Sequence, residues 1–132
     1  MFSTDPPVRE GEAEAEIQTR VRLEASQKGA RLLRNNNGAG YMADGSFMRW
    51  GLANDSAKMN SHIKSSDLIG IRPVLIKPVH VGRTIGQFLA REVKRAGWRY
   101  TGNKREAAQL RFLELIISMG GDAAFTNGGG SI

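Results

Sequence analysis

Two short apolar stretches of the chain contain residues that could perform chemistry. The stretch FLAREVK carries Glu92 and Lys94 two positions apart, and the stretch DLIGI opens with Asp67. Because side chains alternate across a strand, Glu92 and Lys94 would point to the same face. If the two stretches form paired strands, both carboxylates and the amine converge at one edge of a sheet.

These groups suit the metal-assisted hydrolysis of a phosphodiester bond. Two carboxylates with open positions between them bind a hard divalent cation such as Mg²⁺. Such a cation can bind a phosphate oxygen and lower the pKa of an attacking water. A nearby lysine can orient that water or stabilise the charge that develops on phosphorus.

The same residues also permit a structural interpretation. A Glu-x-Lys sequence at the end of a strand is commonly a same-face ion pair, and Asp67 could be a turn or cap residue. The combination of an aspartate and a Glu-x-Lys on apolar strands, in a basic chain, favours the catalytic interpretation without excluding the structural one.

The charge of the chain favours a polyanionic partner. The 132 residues include 19 lysines and arginines against 13 acids, which gives a net charge of +6 and a pI of about 10.2. Between Arg72 and Arg111 there are ten basic residues and two acids. Nucleic acid is the commonest partner of a basic surface of this kind.

Composition also limits the class of site and the compartment. The absence of cysteine excludes disulfides, thiolate metal sites and thiol nucleophiles, and it indicates a reducing cytoplasm. No apolar run approaches the length of a membrane span, and the acidic first residues lack the build of a signal peptide. We therefore expect a cytoplasmic protein with no membrane partner.

The elements that position the candidate residues follow from the hydrophobic period. Helical patterns cover residues 12–28 and 104–119, and strand-like runs are ARLLR, DLIGI, GQFLAREVK and DAAFT. Asp44-Gly45 lies between two further strand-like runs and predicts a hairpin. The run PVLIK, residues 73–77, is a candidate edge strand between two prolines. Residues 53–66 are interpreted as a long polar loop that could contain one helical turn.

This order of elements predicts an α/β fold with a central mixed β-sheet flanked by helices. The length suits a single domain, which we place at residues 12–126. Residues 1–11 are interpreted as a flexible lead, and residues 127–132 as a flexible tail.

The chain resembles a known group of nucleases. SSDLIGI followed by GQFLAREVK resembles the Asp…(Glu/Asp)-x-Lys core of the restriction-endonuclease-like, or PD-(D/E)XK, superfamily. More narrowly, residues 12–126 resemble the small stand-alone VRR-NUC proteins, many of them phage-borne. The motifs that carry this resemblance follow in order as EAEIQ, RNNNGAG, GLANDSA, IKSSDLIGI, GQFLAREVK and EAAQLRFLELIISMGGDAAF. The resemblance implies a restriction-endonuclease-like core and a DNA endonuclease that depends on Mg²⁺ or Mn²⁺, in a bacterial or phage-infected cell.

The resemblance also implies roles for individual residues. Asp67 and Glu92 would be metal ligands, with the backbone carbonyl of Val93 as a third. Lys94 would be the catalytic lysine. Gln109 corresponds to the glutamine that the family places in the following helix, near the active site.

The family has a further glutamate in its first helix, ahead of an Ile-Gln pair. Glu14 fits this position best, because it shares a helical face with Ile17 and Gln18. Glu12 and Glu16 remain alternatives, since EGEAEAE makes the register ambiguous.

Contacts to DNA are expected from polar and basic residues in loops. The stretch RNNNGAG, interpreted as a glycine-rich loop, resembles the family's DNA-proximal loop. The expected DNA-binding residues are Arg34, Asn35, Asn36, Asn37, Lys64, Ser66 and Arg95.

Three side chains near the Glu-x-Lys sequence invite particular expectations. The family commonly has an apolar residue at position 91, so Arg91 indicates a less buried strand face or a contact to a partner or DNA. Trp98 and Tyr100 could stack on unpaired bases or pack over the edge of the sheet.

The resemblance also implies a substrate and an assembly. The stand-alone members are similar to Holliday-junction resolvases and are expected to be homodimers, which would place two active sites on two strands of a four-way junction. The alternatives are a flap or single-strand nuclease, and a non-catalytic module of the same fold that binds branched DNA without cutting it.

Overall fold

The computed structural model describes residues 13–128 and residue 132. The predicted lead, Glu12 and part of the predicted tail lie outside the described residues. The helices are α1 (Glu14–Gln27), α2 (Ala57–His62) and α3 (Lys104–Ser118), and one 3₁₀ turn covers Pro78–His80. The strands are β1 (Arg31–Arg34), β2 (Gly38–Tyr41), β3 (Phe47–Trp50), β4 (Leu68–Ile71), β5 (Leu89–Val93) and β6 (Asp122–Thr126).

The predicted α/β class is confirmed, but the strands pair differently from the expectation. Among the described residues they form three two-stranded ladders, β1 with β4, β2 with β3 and β5 with β6, in place of one mixed sheet. The predicted edge strand at residues 73–77 is not formed. Pro73 and Pro78 bound this run, and neither has an N–H to donate to a ladder.

The chain divides into two compact units, a first unit of Met1–Gly70 and a second unit of Ile71–Ile132. In the first unit, α1 packs on β1, and Arg22 Nε donates to the Leu32 carbonyl at 3.4 Å. Helix α1 ends where predicted, because Gly29 adopts the left-handed conformation at φ 81° that favours glycine after a helix.

The predicted hairpin is confirmed as the antiparallel pair of β2 and β3. Asp44 stabilises its loop, since one carboxylate oxygen accepts from the Ser46 N–H at 2.9 Å and the Ser46 hydroxyl at 2.6 Å. These bonds lower the pKa of Asp44, the hydroxyl contributing most. Gly38 lies in β2 instead of the predicted loop, and a β-carbon there would overlap the indole of Trp50. The glycine therefore makes room for a cross-strand aromatic side chain.

In the second unit, α3 connects the two parallel strands β5 and β6. The Asn103 side chain caps α3 by accepting from the Glu106 N–H at 2.8 Å. The inner face of the helix buries Leu113 and Ile116 against Ala123 of β6. This β5–α3–β6 arrangement is what places side chains of α3 beside the end of β5.

Arg91 has a structural explanation in the same unit. Its Nη2 lies 3.1 Å from Asp122 Oδ2, and its Nη1 donates to the carbonyls of Ala90 and Asp122 at 2.9 and 3.0 Å. The Arg91 side chain is only 12% exposed. The cross-strand ion pair allows a charged residue to be enclosed there. Leu89 and Val93, which share the face of Arg91, are 48% and 73% exposed, so the expectation of a less buried strand face is confirmed.

Candidate active site

Glu92, Lys94 and Gln109 form one hydrogen-bonded group in the second unit. Lys94 Nζ donates to Gln109 Oε1 at 2.7 Å, and Gln109 Nε2 donates to Glu92 Oε1 at 2.9 Å. Lys94 Nζ lies 3.9 Å from the same Glu92 oxygen. The prediction that Glu92 and Lys94 share a face is confirmed.

The backbone explains this proximity. Glu92 pairs in register with Phe125 of β6, and the Lys94 N–H donates to the Thr126 carbonyl at 2.7 Å, which continues the extended geometry one residue beyond β5. Two residues of a strand that are two positions apart lie on one side of it. Gln109, half-buried in the second turn of α3, reaches both of their side chains.

The amide of Gln109 uses both of its ends, so it holds the carboxylate and the ammonium in fixed positions and keeps them apart. It occupies one oxygen of Glu92, which leaves Oε2 for another ligand. The Glu92 side chain is 38% exposed, whereas that of Lys94 is 15% exposed. The carboxylate is therefore the more exposed end of the group, and the amine is the more enclosed one.

Aromatic rings surround the amine on another side. Lys94 Nζ lies 5.4 Å from the ring centroid of Trp98 and 5.7 Å from that of Phe125. The ring centroids of Trp98 and Phe125 are 4.8 Å apart, and those of Tyr100 and Phe125 are 5.9 Å apart. Trp98 and Tyr100 thus pack against Phe125 at the edge of the β5–β6 ladder, and their stacking on unpaired bases stays a prediction.

Glu106 is a residue that sequence analysis missed. It is 6% exposed, and its carboxylate accepts from the Trp98 indole at 2.8 Å, from the Thr101 hydroxyl and N–H at 2.7 and 2.9 Å, and from the Gly102 N–H at 3.1 Å. These bonds, that of the Thr101 hydroxyl first, lower its pKa from 4.5 to about 2. The available signal was Asn103 with a glutamate three residues later, the pattern of a helix N-terminus.

Asp67 lies in the first unit, directly before β4, and is exposed. Its carbonyl accepts from the Asn35 N–H at 2.8 Å. The Asn35 side chain donates to the Ser65 hydroxyl at 2.7 Å and to the Ser66 carbonyl at 2.8 Å, and Asn37 donates to the same hydroxyl at 2.8 Å. Two of the asparagines expected to bind DNA therefore hold the segment before Asp67 in place.

The remaining candidates are distributed over both units. Asp67 and the first-helix candidates belong to the first unit, and Glu92, Val93, Lys94 and Gln109 belong to the second. The meeting of Asp67 with the Glu92 group stays a prediction. Exposed candidates are Glu14 and Glu16 in the first turn of α1, and Arg34, Asn36, Lys64, Ser66, Val93 and Arg95.

Some donors of the candidate site suit a divalent cation, although among the described residues they do not form a complete metal site. Within the described residues, no group of three His, Cys, Asp or Glu side chains is placed to hold a metal ion. The chemistry of the individual donors does suit Mg²⁺ or Mn²⁺, because these ions prefer carboxylate and carbonyl oxygens and retain several waters. Glu92 offers such an oxygen, and the Val93 carbonyl follows it directly in the chain.

Comparisons with family models, with curated proteins and with solved structures found no significant match. In the part of the chain that the structure describes, none of the helices combines the length and the apolar character needed to cross a bilayer.

Proposed function

We propose that this protein is a divalent-metal-dependent, structure-specific endonuclease of the restriction-endonuclease-like class, which hydrolyses phosphodiester bonds in branched DNA resembling a Holliday junction. The observation that carries the proposal is the Glu92–Gln109–Lys94 group. A carboxylate with a free oxygen and an enclosed ammonium, held at a fixed separation at the end of a strand, are two of the parts that such hydrolysis needs.

In this proposal each residue of the group has one task. Glu92, Asp67 and the Val93 carbonyl would hold Mg²⁺ or Mn²⁺, which would supply Lewis-acid polarisation of the scissile phosphate. Lys94 would donate hydrogen bonds to the attacking water or to the phosphate oxygens on which negative charge develops. Gln109 orients both Glu92 and Lys94. Glu14 is included in the proposed site only because the resembled family has a glutamate at this position of its first helix.

The choice of DNA as substrate is supported by charge. The net charge of +6 and the basic stretch between Arg72 and Arg111 would supply an affinity that falls steeply with salt. Contacts to phosphates position a protein without reading sequence, so selectivity would come from the shape of the branch. A homodimer would place two sites on opposite strands of a junction.

Cleavage of defined DNA substrates tests the proposal. A four-way junction, a flap, a single strand and a plain duplex are incubated with the protein and Mg²⁺ or Mn²⁺. Wild type should cut branched DNA, and Lys94→Ala should not. Lys28→Ala is the matched control, because Lys28 is 69% exposed and forms an ion pair with Glu24 in the first unit.

Three outcomes would each contradict one part of the proposal: the cleavage activity, the role of Lys94 or the dimer. A wild-type protein that binds the junction and cuts nothing in either metal is a binding module. A Lys94→Ala protein that cuts as fast as wild type removes the assignment of Lys94. A monomer in light scattering at micromolar concentration argues against the symmetric cutting of a junction.

A further inference from the structure

We infer that Trp98 and Phe125 are positioning residues for Lys94. Glu106 acts on Lys94 indirectly, because it holds Trp98 in place. The inference rests on the proposed nuclease function, since it concerns how Lys94 is prepared for that reaction. It starts from the enclosure of the amine, whose side chain is 15% exposed. The ring centroids of Trp98 and Phe125 both lie within 6 Å of Nζ.

The chemistry of the aromatic contact differs from that of a hydrogen bond. A lysine ammonium has three N–H donors, and in this group one of them goes to Gln109. The face of an aromatic ring attracts a cation through its quadrupole, within about 6 Å of the centroid. Trp98 and Phe125 can therefore hold the ammonium in place and leave its other donors to a water or a phosphate oxygen.

The position of Trp98 is itself fixed by polar contacts. Its indole N–H donates to Glu106 Oε1 at 2.8 Å, and the other oxygen of Glu106 accepts from the Thr101 hydroxyl and two backbone N–H groups. A carboxylate with so little exposure is stable only when it is hydrogen-bonded in this way. These hydrogen bonds tie the loop between β5 and α3 to the first turn of α3.

This arrangement exceeds what packing alone requires. An apolar contact with Phe125 can be made by a leucine as well as by an aromatic ring at position 98. A cation–π contact with Lys94 requires a ring. The pair of variants Trp98→Phe and Trp98→Leu therefore separates the two roles, because both keep an apolar side chain and only the first keeps a ring.

The first measurement is independent of DNA. The full-length protein is treated with an amine-reactive ester, and the labelling rate of each lysine is followed by peptide mass spectrometry. In wild type Lys94 should react more slowly than the exposed Lys104. Trp98→Leu should raise the Lys94 rate several-fold, Trp98→Phe should restore most of the protection, and Lys104 should react alike in all three. Equal Lys94 rates in all three proteins overturn the inference.

The second measurement uses cleavage of the preferred DNA. Trp98→Leu should lower kcat by roughly ten- to a hundredfold with little change in KM, because displacing a reacting group affects the chemical step more than ground-state binding. Trp98→Phe should recover much of the loss. A Trp98→Leu protein with the wild-type kcat overturns the inference. If wild type cuts no DNA, the proposed function fails, and the labelling rates decide the positioning by themselves.

Glu106→Gln tests the contact between Glu106 and the Trp98 indole. Gln can still accept from the Thr101 hydroxyl, but its amide cannot satisfy all of the donors around the carboxylate. The Lys94 labelling rate in this variant should lie between those of wild type and Trp98→Leu. A Glu106→Gln protein that folds normally and protects Lys94 as wild type does overturns the role of Glu106.

Discussion

Gln109 Nε2 on helix α3 donates a hydrogen bond to Glu92 Oε1 on strand β5, across 2.9 Å. The other end of the same amide accepts from Lys94 Nζ at 2.7 Å, so the glutamine lies between the two charges. Without it the carboxylate and the ammonium, now 3.9 Å apart, could close into a direct ion pair. The glutamine therefore keeps both charges available to a third group.

Replacing Gln109 should separate activity from stability. In Gln109→Leu the direct Glu92–Lys94 pair can form, and the free energy of unfolding should change by no more than about 1 kcal/mol. Cleavage of branched DNA should fall at least about tenfold, because both reacting groups are displaced. Single-turnover cleavage and urea unfolding measure the two effects. Gln27→Leu, at the exposed end of α1, is the control, and an unchanged cleavage rate in Gln109→Leu would contradict the assigned role.

The ion pair of Arg91 and Asp122 should contribute to stability and not to cleavage. Asp122→Ala leaves a largely buried guanidinium with backbone carbonyl partners, and the 48% exposure of Asp122 moderates the loss. We expect the free energy of unfolding to fall by about 1 kcal/mol. The exposed pair of Lys28 and Glu24 provides the comparison, because Glu24→Ala should cost less than about 0.5 kcal/mol. Equal urea midpoints for the two variants would refute this account.

Local signals predicted much of the second unit correctly. Helix α3 and strands β5 and β6 follow from hydrophobic period, and the shared face of Glu92 and Lys94 follows from alternation along a strand. The partner of Arg91 could not be predicted in this way. Its identification requires the register of β5 against β6, which places Asp122 beside it from 31 residues further along the chain.

In the first unit the interpretation was limited by side chains whose partners are distant in sequence. NNNGAG has the composition of a loop, but Gly38 lies in strand β2, where it pairs with Trp50 of β3 and leaves room for the indole. An asparagine such as Asn35 is expected at the surface, but its side-chain amide donates a hydrogen bond to the hydroxyl of Ser65, 30 residues away. Neither contact has a local signal, because each depends on how the chain folds back on itself.

Glu106 should make stability depend on acid pH. Its pKa is about 2 in the folded protein against 4.5 for an ordinary glutamate, so the folded state favours the ionised form. This contribution is fully present above about pH 4.5 and is lost as the pH falls towards 2. Glu106→Gln should be less stable than wild type at neutral pH, and the difference should narrow as the pH falls through that range.

Urea unfolding at several pH values measures this difference. Glu114→Gln, which alters an exposed carboxylate on the same helix, is the matched control and should follow the wild-type curve. A difference between Glu106→Gln and wild type that stays constant from neutral to acid pH would show that the carboxylate stabilises the protein through packing alone.

Arg34 and Asn35 are neighbours with different expected roles in DNA binding. Arg34 is exposed, and Arg34→Ala should weaken binding to every DNA and reduce the slope of log affinity against log salt by about 1. Asn35 carries no charge and bonds to Ser65 and Ser66. Asn35→Ala should therefore leave the slope unchanged and lower the free energy of unfolding by about 1–3 kcal/mol.

Fluorescence anisotropy with a labelled four-way junction, from about 50 to 200 mM salt, measures both slopes. Lys64→Ala should match Arg34→Ala, because its exposed ammonium would release one counterion in the same way. A wild-type slope in both basic variants would remove Arg34 and Lys64 from the DNA interface. An Asn35→Ala protein of wild-type stability and reduced affinity would instead assign Asn35 a direct contact to DNA.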